Sequence, residues 1–370
     1  MNNHLKQNSI SLLQYIMLIH GAQVGIGVLS LPRDVAQISG TDGWMAVIIG
    51  GIVSILVSIL IIQIMERHSG LDITEIFQIY FGRWMRKVLT LFFVIYYAWS
   101  GLTILLYVNG IIRVSLLSQT PSYLVILLFL LPGFMIARHG VRVLGKYAVV
   151  IFVLFLWMPF AVIIPLGKFE YLYLLPILKE GAGPVLAAIK TTIFSFLGFE
   201  TAFFFYPYLR KKSSAVLGMT IANLISLVIY LVTTVVCFGY FSPDEIQTYT
   251  WPTISLFKVT ELAFIERLDI IFLSFYLLIV SAVWLPYSYL GAYSLSSLFK
   301  KGREQVILFL FFLGLLILTF FWTPTFTQLK SIESISGHIG IIAAYVFPVC
   351  MWIYLQLHRL FTGGNKTYES

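Results

Sequence analysis

The residues with the most chemical potential sit where charge is most costly. Glu200 closes the segment Ser195-Phe-Leu-Gly-Phe-Glu200 and is the only acidic residue deep inside an apolar run. An ionisable group in such a place is a functional candidate by default. It can meet a ligand amine, relay a proton, or tie helices together as a structural glutamate. A second constellation is Gly21-Ala-Gln-Val-Gly-Ile-Gly27, with Gly21, Gln23, Gly25 and Gly27 as candidates. Glycine allows a helix to unwind without a Cβ clash. Unwinding frees backbone N–H and C=O groups that must find partners in lipid, and a polar ligand can be that partner. A half-helix N-terminus also offers partial positive charge to a carboxylate. Gly25-x-Gly27 is no dinucleotide fingerprint, because Ser30 replaces the third glycine and no strand precedes it.

Polar residues elsewhere supply further walls for a pocket. Tyr97, Ser100, Thr103 (or Ile104) and Tyr107 share a helical face, and Ser274, Tyr276 and Ser281 lie on a later apolar run. Ordinary interhelical hydrogen bonding also explains such residues. Lys190, about three turns before Glu200, reads as a side chain that snorkels to an interface. Signals for catalysis are weak. Ser-x-x-Lys occurs at Ser255–Lys258 and Ser297–Lys300 without companion motifs, and six scattered histidines show no metal spacing. No catalytic residue, metal site or cofactor is expected.

The elements that position these residues follow from composition. The chain has 370 residues, 59% hydrophobic and 11% charged, against about 25% charged in a soluble domain. Lipid is therefore its solvent, and residues 1–370 are read as one polytopic membrane domain. Apolar runs of roughly 20 residues give ten expected spans, near 11–38, 43–65, 85–117, 121–138, 145–165, 184–209, 214–241, 267–298, 304–322 and 336–360. The first is read as a span rather than a signal peptide, since no cleavage site follows it. The net charge of +8 comes from short basic clusters between spans, which excludes a nucleic-acid surface. Cys237 and Cys350 both fall in apolar stretches and are expected as inert buried thiols.

Basic residues such as Arg83, Arg86, Lys87, Arg138, Arg142, Arg210 and Lys211 gather on one side, sixteen against seven, so both termini are expected in the cytoplasm. The loop 242–265 is then outside. Its Trp251, Ile254, Phe257 and Leu262 suit a short helical lid over a pocket entrance. Spans 1 and 6 are unusual in the same way: Gly21, Gly25 and Gly27 precede Pro32, and Gly198 beside Glu200 precedes Pro207. This pair implies two five-span repeats, about 11–165 and 184–360, inverted because five is odd. Matched interrupted spans mark a transporter's midplane site. The fold class is thus an all-α membrane protein with discontinuous helices 1 and 6.

The segment Trp251-Pro-Thr-Ile-Ser-Leu-Phe257, followed by Phe264-Ile-Glu-Arg267, closely resembles the B subunit of spore nutrient-germinant receptors. So do Gly25-x-Gly27 running into Leu29-Ser-Leu-Pro-Arg33, Asp42-Gly-Trp44, and Gly181-Ala-Gly-Pro184 before Ser195-Phe-Leu-Gly198. That family belongs to the amino acid/polyamine/organocation superfamily. The resemblance implies an inverted-repeat transporter fold, a nutrient ligand that is commonly an amino acid, and the dormant spore's inner membrane. It also implies partner A and C subunits. Expected ligand-binding residues are Gly21, Gln23, Gly25, Gly27, Tyr97, Ser100, Gly198, Glu200 and Ser274. Span 8 lacks the Ser/Thr pair of sodium-coupled relatives, and span 5 has no mid-membrane lysine, Lys146 lying at its cytoplasmic end. An amino-acid permease or symporter remains the alternative, with a scaffold or channel component the third reading.

Overall fold

A computed structural model describes residues 8–117, 119–258, 268–299 and 303–361. Both chain ends, residues 259–265 of the expected lid loop and the Phe264–Arg267 stretch lie outside the described residues. Ser11 starts the first helix with a capping box. Its hydroxyl accepts the Gln14 N–H at 3.3 Å, and the Gln14 side chain accepts the Ser11 N–H at 2.9 Å. The helix α1 runs Leu12–Gln23 and stops, and α2 resumes at Gly27–Ser39. The break needs no left-handed glycine. Val24 turns the chain at φ −85° and ψ 87°, and the positive-φ glycines lie elsewhere.

Then follow α3 (Gly43–Glu66), α4 (Ile73–Ser115), α5 (Ser122–Ala137), α6 (Val141–Phe155) and α7 (Met158–Ile163). The second half has α8 (Ala182–Ser195) and a short α9 (Ala202–Phe205), then α10 (Ala215–Tyr240). After two short helices, α11 (Glu245–Thr248) and the largely buried α12 (Pro252–Lys258), come α13 (Leu268–Ser296), α14 (Glu304–Phe321), α15 (Phe326–Ile341) and α16 (Phe347–Phe361). A π-helical turn over Ile342–Val346 joins the last two. Among the described residues, seven helical stretches are long and apolar enough to cross a membrane. Ala182–Ser195 with Phe199–Tyr208, bent by 45°, makes an eighth. The protein is a multi-pass membrane protein, and α1 and α2 lie at its centre, packed against α6, α8, α10, α12 and α13.

The third expected span, near 85–117, is the part of α4 after Gly82, where a non-helical backbone (φ 79°) separates it from an amphipathic lead-in that starts at Ile73 with the Asp72–Glu75 capping box. The last expected span differs, beginning at Phe326 rather than 336. Its first turns carry Lys330, Glu333 and Ser336, which line a polar cavity instead of meeting lipid, so their polarity does not interrupt the helix. Cys237 is buried as expected, but Cys350 is exposed on α16.

Gly198 makes the second break. Its φ is +132°, and a Cβ built there would lie 2.6 Å from the Ala22 carbonyl carbon and oxygen. Backbone meets backbone at this point, and only glycine fits. Gly198→Ala should therefore lower stability by about 2 kcal/mol or more. The measurement is thermal melting of the detergent-purified protein, and an unchanged melting temperature would contradict the contact.

Candidate functional site

The two breaks lie against each other and are stitched by side chains. The Gln23 Nε2 donates to the Phe196 carbonyl at 3.0 Å and to Asn223 Oδ1 at 2.8 Å, while its Oε1 accepts from Ser226 at 2.8 Å. Tyr230 Oη lies 2.9 Å from both the Gln23 and the Ser195 carbonyl oxygens, so one hydroxyl bridges both interrupted helices. Tyr276 donates to the Gly25 carbonyl at 2.6 Å. Carbonyls freed by unwinding are thus taken up by α10 and α13, as the absence of water in a bilayer core demands.

Glu200 is fully buried beside the second break. Its Oε2 accepts the Gly198 N–H at 2.7 Å, and its Oε1 accepts from Tyr96 at 2.6 Å and Tyr287 at 3.0 Å. Thr201 donates to the Gly198 carbonyl at 2.6 Å, completing the turn. The glutamate therefore binds α4 and α13 to the break. Tyr96 and Tyr287 stand between it and the adjoining cavity, whose wall does not include it.

That cavity has a volume of about 490 Å³. Gly25, Ile26 and Gly27 form its floor with Ser195, and Tyr96, Ser100, Thr103 and Tyr107 descend one side. Arg33, Asp34, Lys330 and Glu333 line it toward the end carrying Thr250 and Trp251. Tyr107 donates to Glu333 at 2.7 Å. A Cβ on Gly27 would come within 2.9 Å of Ser195 Oγ, so its lack of a side chain lets α2 meet α8. The N–H groups of Ile26 and Gly27, opening α2, have no partner among the described residues. Above this, Pro32 has no N–H to give the Val28 carbonyl, and Thr253 of α12 donates to that oxygen instead, at 2.7 Å.

The structure gathers Gln23, Gly25, Gly27 and Ser100 around this cavity, and places Gly198 and Glu200 directly behind its wall. Gln23 enters as a residue whose side-chain amide is already committed. Gly21 faces a second cavity, across the break. Tyr97 packs on Phe93, Phe204 and Tyr287 away from the cavity. Ser274 is exposed and bonds its own helix at the Ile270 carbonyl. Ser281 pairs with Tyr147 on α6. Lys190 is exposed beside His338, at 3.3 Å. Sequence reasoning missed Tyr96, Tyr230, Tyr287 and Asn223. For Tyr96 a signal was present: 96, 100, 103 and 107 follow the helical repeat better than 97 does.

Truncating Glu200 leaves three buried donors without an acceptor, at about 1–3 kcal/mol each. Glu200→Gln keeps one oxygen for the Gly198 N–H, and the tyrosine hydroxyls can rotate to accept from its amide. Membrane abundance and melting temperature should fall sharply for Glu200→Ala and only modestly for Glu200→Gln. Equal stability of Glu200→Ala and the wild type would remove the glutamate's anchoring role.

Comparison with known proteins agrees with this geometry. The model of the Spore_permease family, described as spore germination protein, matches residues 9–329. The chain is 26% identical to spore germination protein YndE of Bacillus subtilis (strain 168), over 97% of this chain and 99% of that one. It is 25% identical to spore germination protein GerQB of Bacillus cereus, over 91% and 92%. For spore germination protein A2 of Bacillus subtilis (strain 168) the identity is 24%, over 94% and 96%. Among solved structures, MhsT in complex with L-phenylalanine superposes with a TM-score of 0.58 at 14% identity, covering 95% of this chain and 89% of that one. This likeness carries the fold alone. With the family match spanning most of its length, the chain belongs to the Spore_permease family of spore germination proteins.

Proposed function

We propose that this chain is the B subunit of a spore germinant receptor and that a small nutrient, an amino acid, binds in the 490 Å³ cavity between the breaks. The observation that carries this reading is the pair of unpartnered N–H groups at Ile26 and Gly27, in the cavity wall at the positive end of α2. They suit a carboxylate. Ser100 and Thr103 offer hydroxyls to the rest of the ligand, Tyr96 offers its ring, and both signs of charge lie farther along the wall, as a zwitterion requires. MhsT, of like fold, is known in complex with L-phenylalanine. Binding favours one of two arrangements of the bundle, which requires different affinity for each, and A and C subunits pass the change on.

The same reading holds ten spans in two inverted five-helix repeats, counting α1 with α2, α6 with α7, α8 with α9, and α15 with α16 as single spans, and leaving out α11 and α12. It places both termini in the cytoplasm, the α12 side outside, and the protein in the spore's inner membrane. The basic clusters beside Arg83, Arg138 and Arg210 support that orientation.

Ser100 lines the cavity with no role in the stitching of the breaks. Ser100→Leu should weaken binding of a labelled amino acid to purified protein by at least about tenfold, a change near 1.4 kcal/mol, with the melting temperature held. A panel of amino acids of which none binds the wild type would refute the nutrient site. Substrate accumulation in proteoliposomes would favour a permease instead.

Orientation is checked with introduced cysteines in a Cys350→Ser background, in which the remaining Cys237 is buried. Gln247→Cys and Ser69→Cys are both at exposed positions. An impermeant maleimide applied to intact cells should label position 247 and spare 69, and the opposite pattern inverts the topology.

A further inference from the structure

Behind the first break, on the side away from the nutrient cavity, lies a separate chamber of about 90 Å³. Its walls come from α1 (Met17, Gly21), α2 (Val28), α6 (Ala148, Ile151, Phe152), α10 and α13 (Ile279, Ala282). The polar side chains that reach it are His20, Thr233, Thr253 and Tyr276. Thr233, Thr253 and Tyr276 donate their protons to the carbonyls of Ile229, Val28 and Gly25. His20 holds Ser226 through Nδ1 at 2.9 Å and sets its ring edge-on to Phe152. Almost all of what remains is hydrocarbon surface. A buried water needs two to four polar partners, and apolar cavities of this kind stay dry and take up apolar guests. An engineered cavity of about 150 Å³ admits benzene or xenon. This one is smaller, so it fits xenon or a short alkyl chain.

We propose that this chamber is a binding site for a small apolar molecule entering from the bilayer, and that its occupancy braces the first helix break in the arrangement seen here. The second half follows from where the walls come from. Both halves of the interrupted helix contribute, and the two hydrogen bonds that fix the break on this side, Tyr276 to Gly25 and Thr253 to Val28, run along its edge. Any change of angle between α1 and α2 changes the chamber's shape. A guest therefore binds one arrangement better than another, which is the condition for shifting an equilibrium. The effect on nutrient affinity rests on the function proposed above, whereas the occupancy does not.

Xenon is the probe. Crystals of the nutrient-free protein pressurised with xenon should show a peak inside the chamber, and xenon should raise the melting temperature of the wild type. Ala148→Leu fills the void from α6, and Ile279→Phe fills it from α13 should the first variant fail to fold. Either should abolish both signals. No xenon peak in the wild type, or an equal thermal shift in wild type and filled variants, overturns the site. Labelled amino acid is then titrated with and without xenon. A change in affinity of about threefold or more in the wild type, absent from the filled variant, supports bracing, and an unchanged affinity overturns it. Xenon binding without any amino-acid binding would leave this site standing and remove the nutrient reading, while the reverse would leave only the latter.

Discussion

A helix interrupted inside a bilayer must return every backbone group it frees, because nothing in the surrounding lipid accepts or donates a hydrogen bond. Two such interruptions, at residues 24–26 and 196–198, face each other in this protein, and much of the structure follows from how their backbone groups are matched. Gly198 allows contact at the Ala22 carbonyl. Gln23, Tyr230 and Tyr276 then close on the exposed carbonyls, and Glu200 takes the Gly198 N–H. Each of these side chains in turn fixes a neighbour: Gln23 holds Asn223 and Ser226 of α10, and Glu200 holds Tyr96 of α4 and Tyr287 of α13. The scaffold is built inward onto the breaks.

The matching is lopsided, and function follows from the imbalance. The freed carbonyls of Gln23, Gly25, Ser195 and Phe196 all have protein donors. The N–H groups of Ile26 and Gly27 do not, among the described residues. On the function proposed above, a ligand is therefore received chiefly as an acceptor at the floor of the cavity. Glu200 has its lone pairs engaged by three internal donors. It contributes by setting the two tyrosines whose other faces line the cavity.

Much of this was legible from the chain. The apolar runs and the paired Gly/Pro interruptions carried the membrane class and the discontinuous first and sixth spans, because both are local in sequence. Trp251 and Phe257 carried a short helix in the 242–265 loop, found at Pro252–Lys258. What was not legible depends on which way a residue faces once the bundle closes. Tyr97 was chosen over Tyr96 by one position on the same helix, and one position is a rotation of about 100°. Ser274 looked like a wall residue but faces outward. Tyr230 and Asn223 sit on an ordinary apolar span whose partners lie some 200 residues earlier, and no periodicity announces such a pairing. The polar first turns of α15 read as loop because hydropathy cannot tell a cavity from water.

The missing N–H of Pro32 has a mechanical reach. It leaves an open acceptor on Val28, and the hydroxyl that fills it belongs to α12, a helix more than 200 residues away in the chain. While that bond holds, α12 and the upper half of the interrupted helix travel as one piece. The short helix becomes a handle, and the proline is where it is fastened. A shift of α12, whose Phe257 also stacks on Phe272 of α13, is thereby passed to the floor of the cavity.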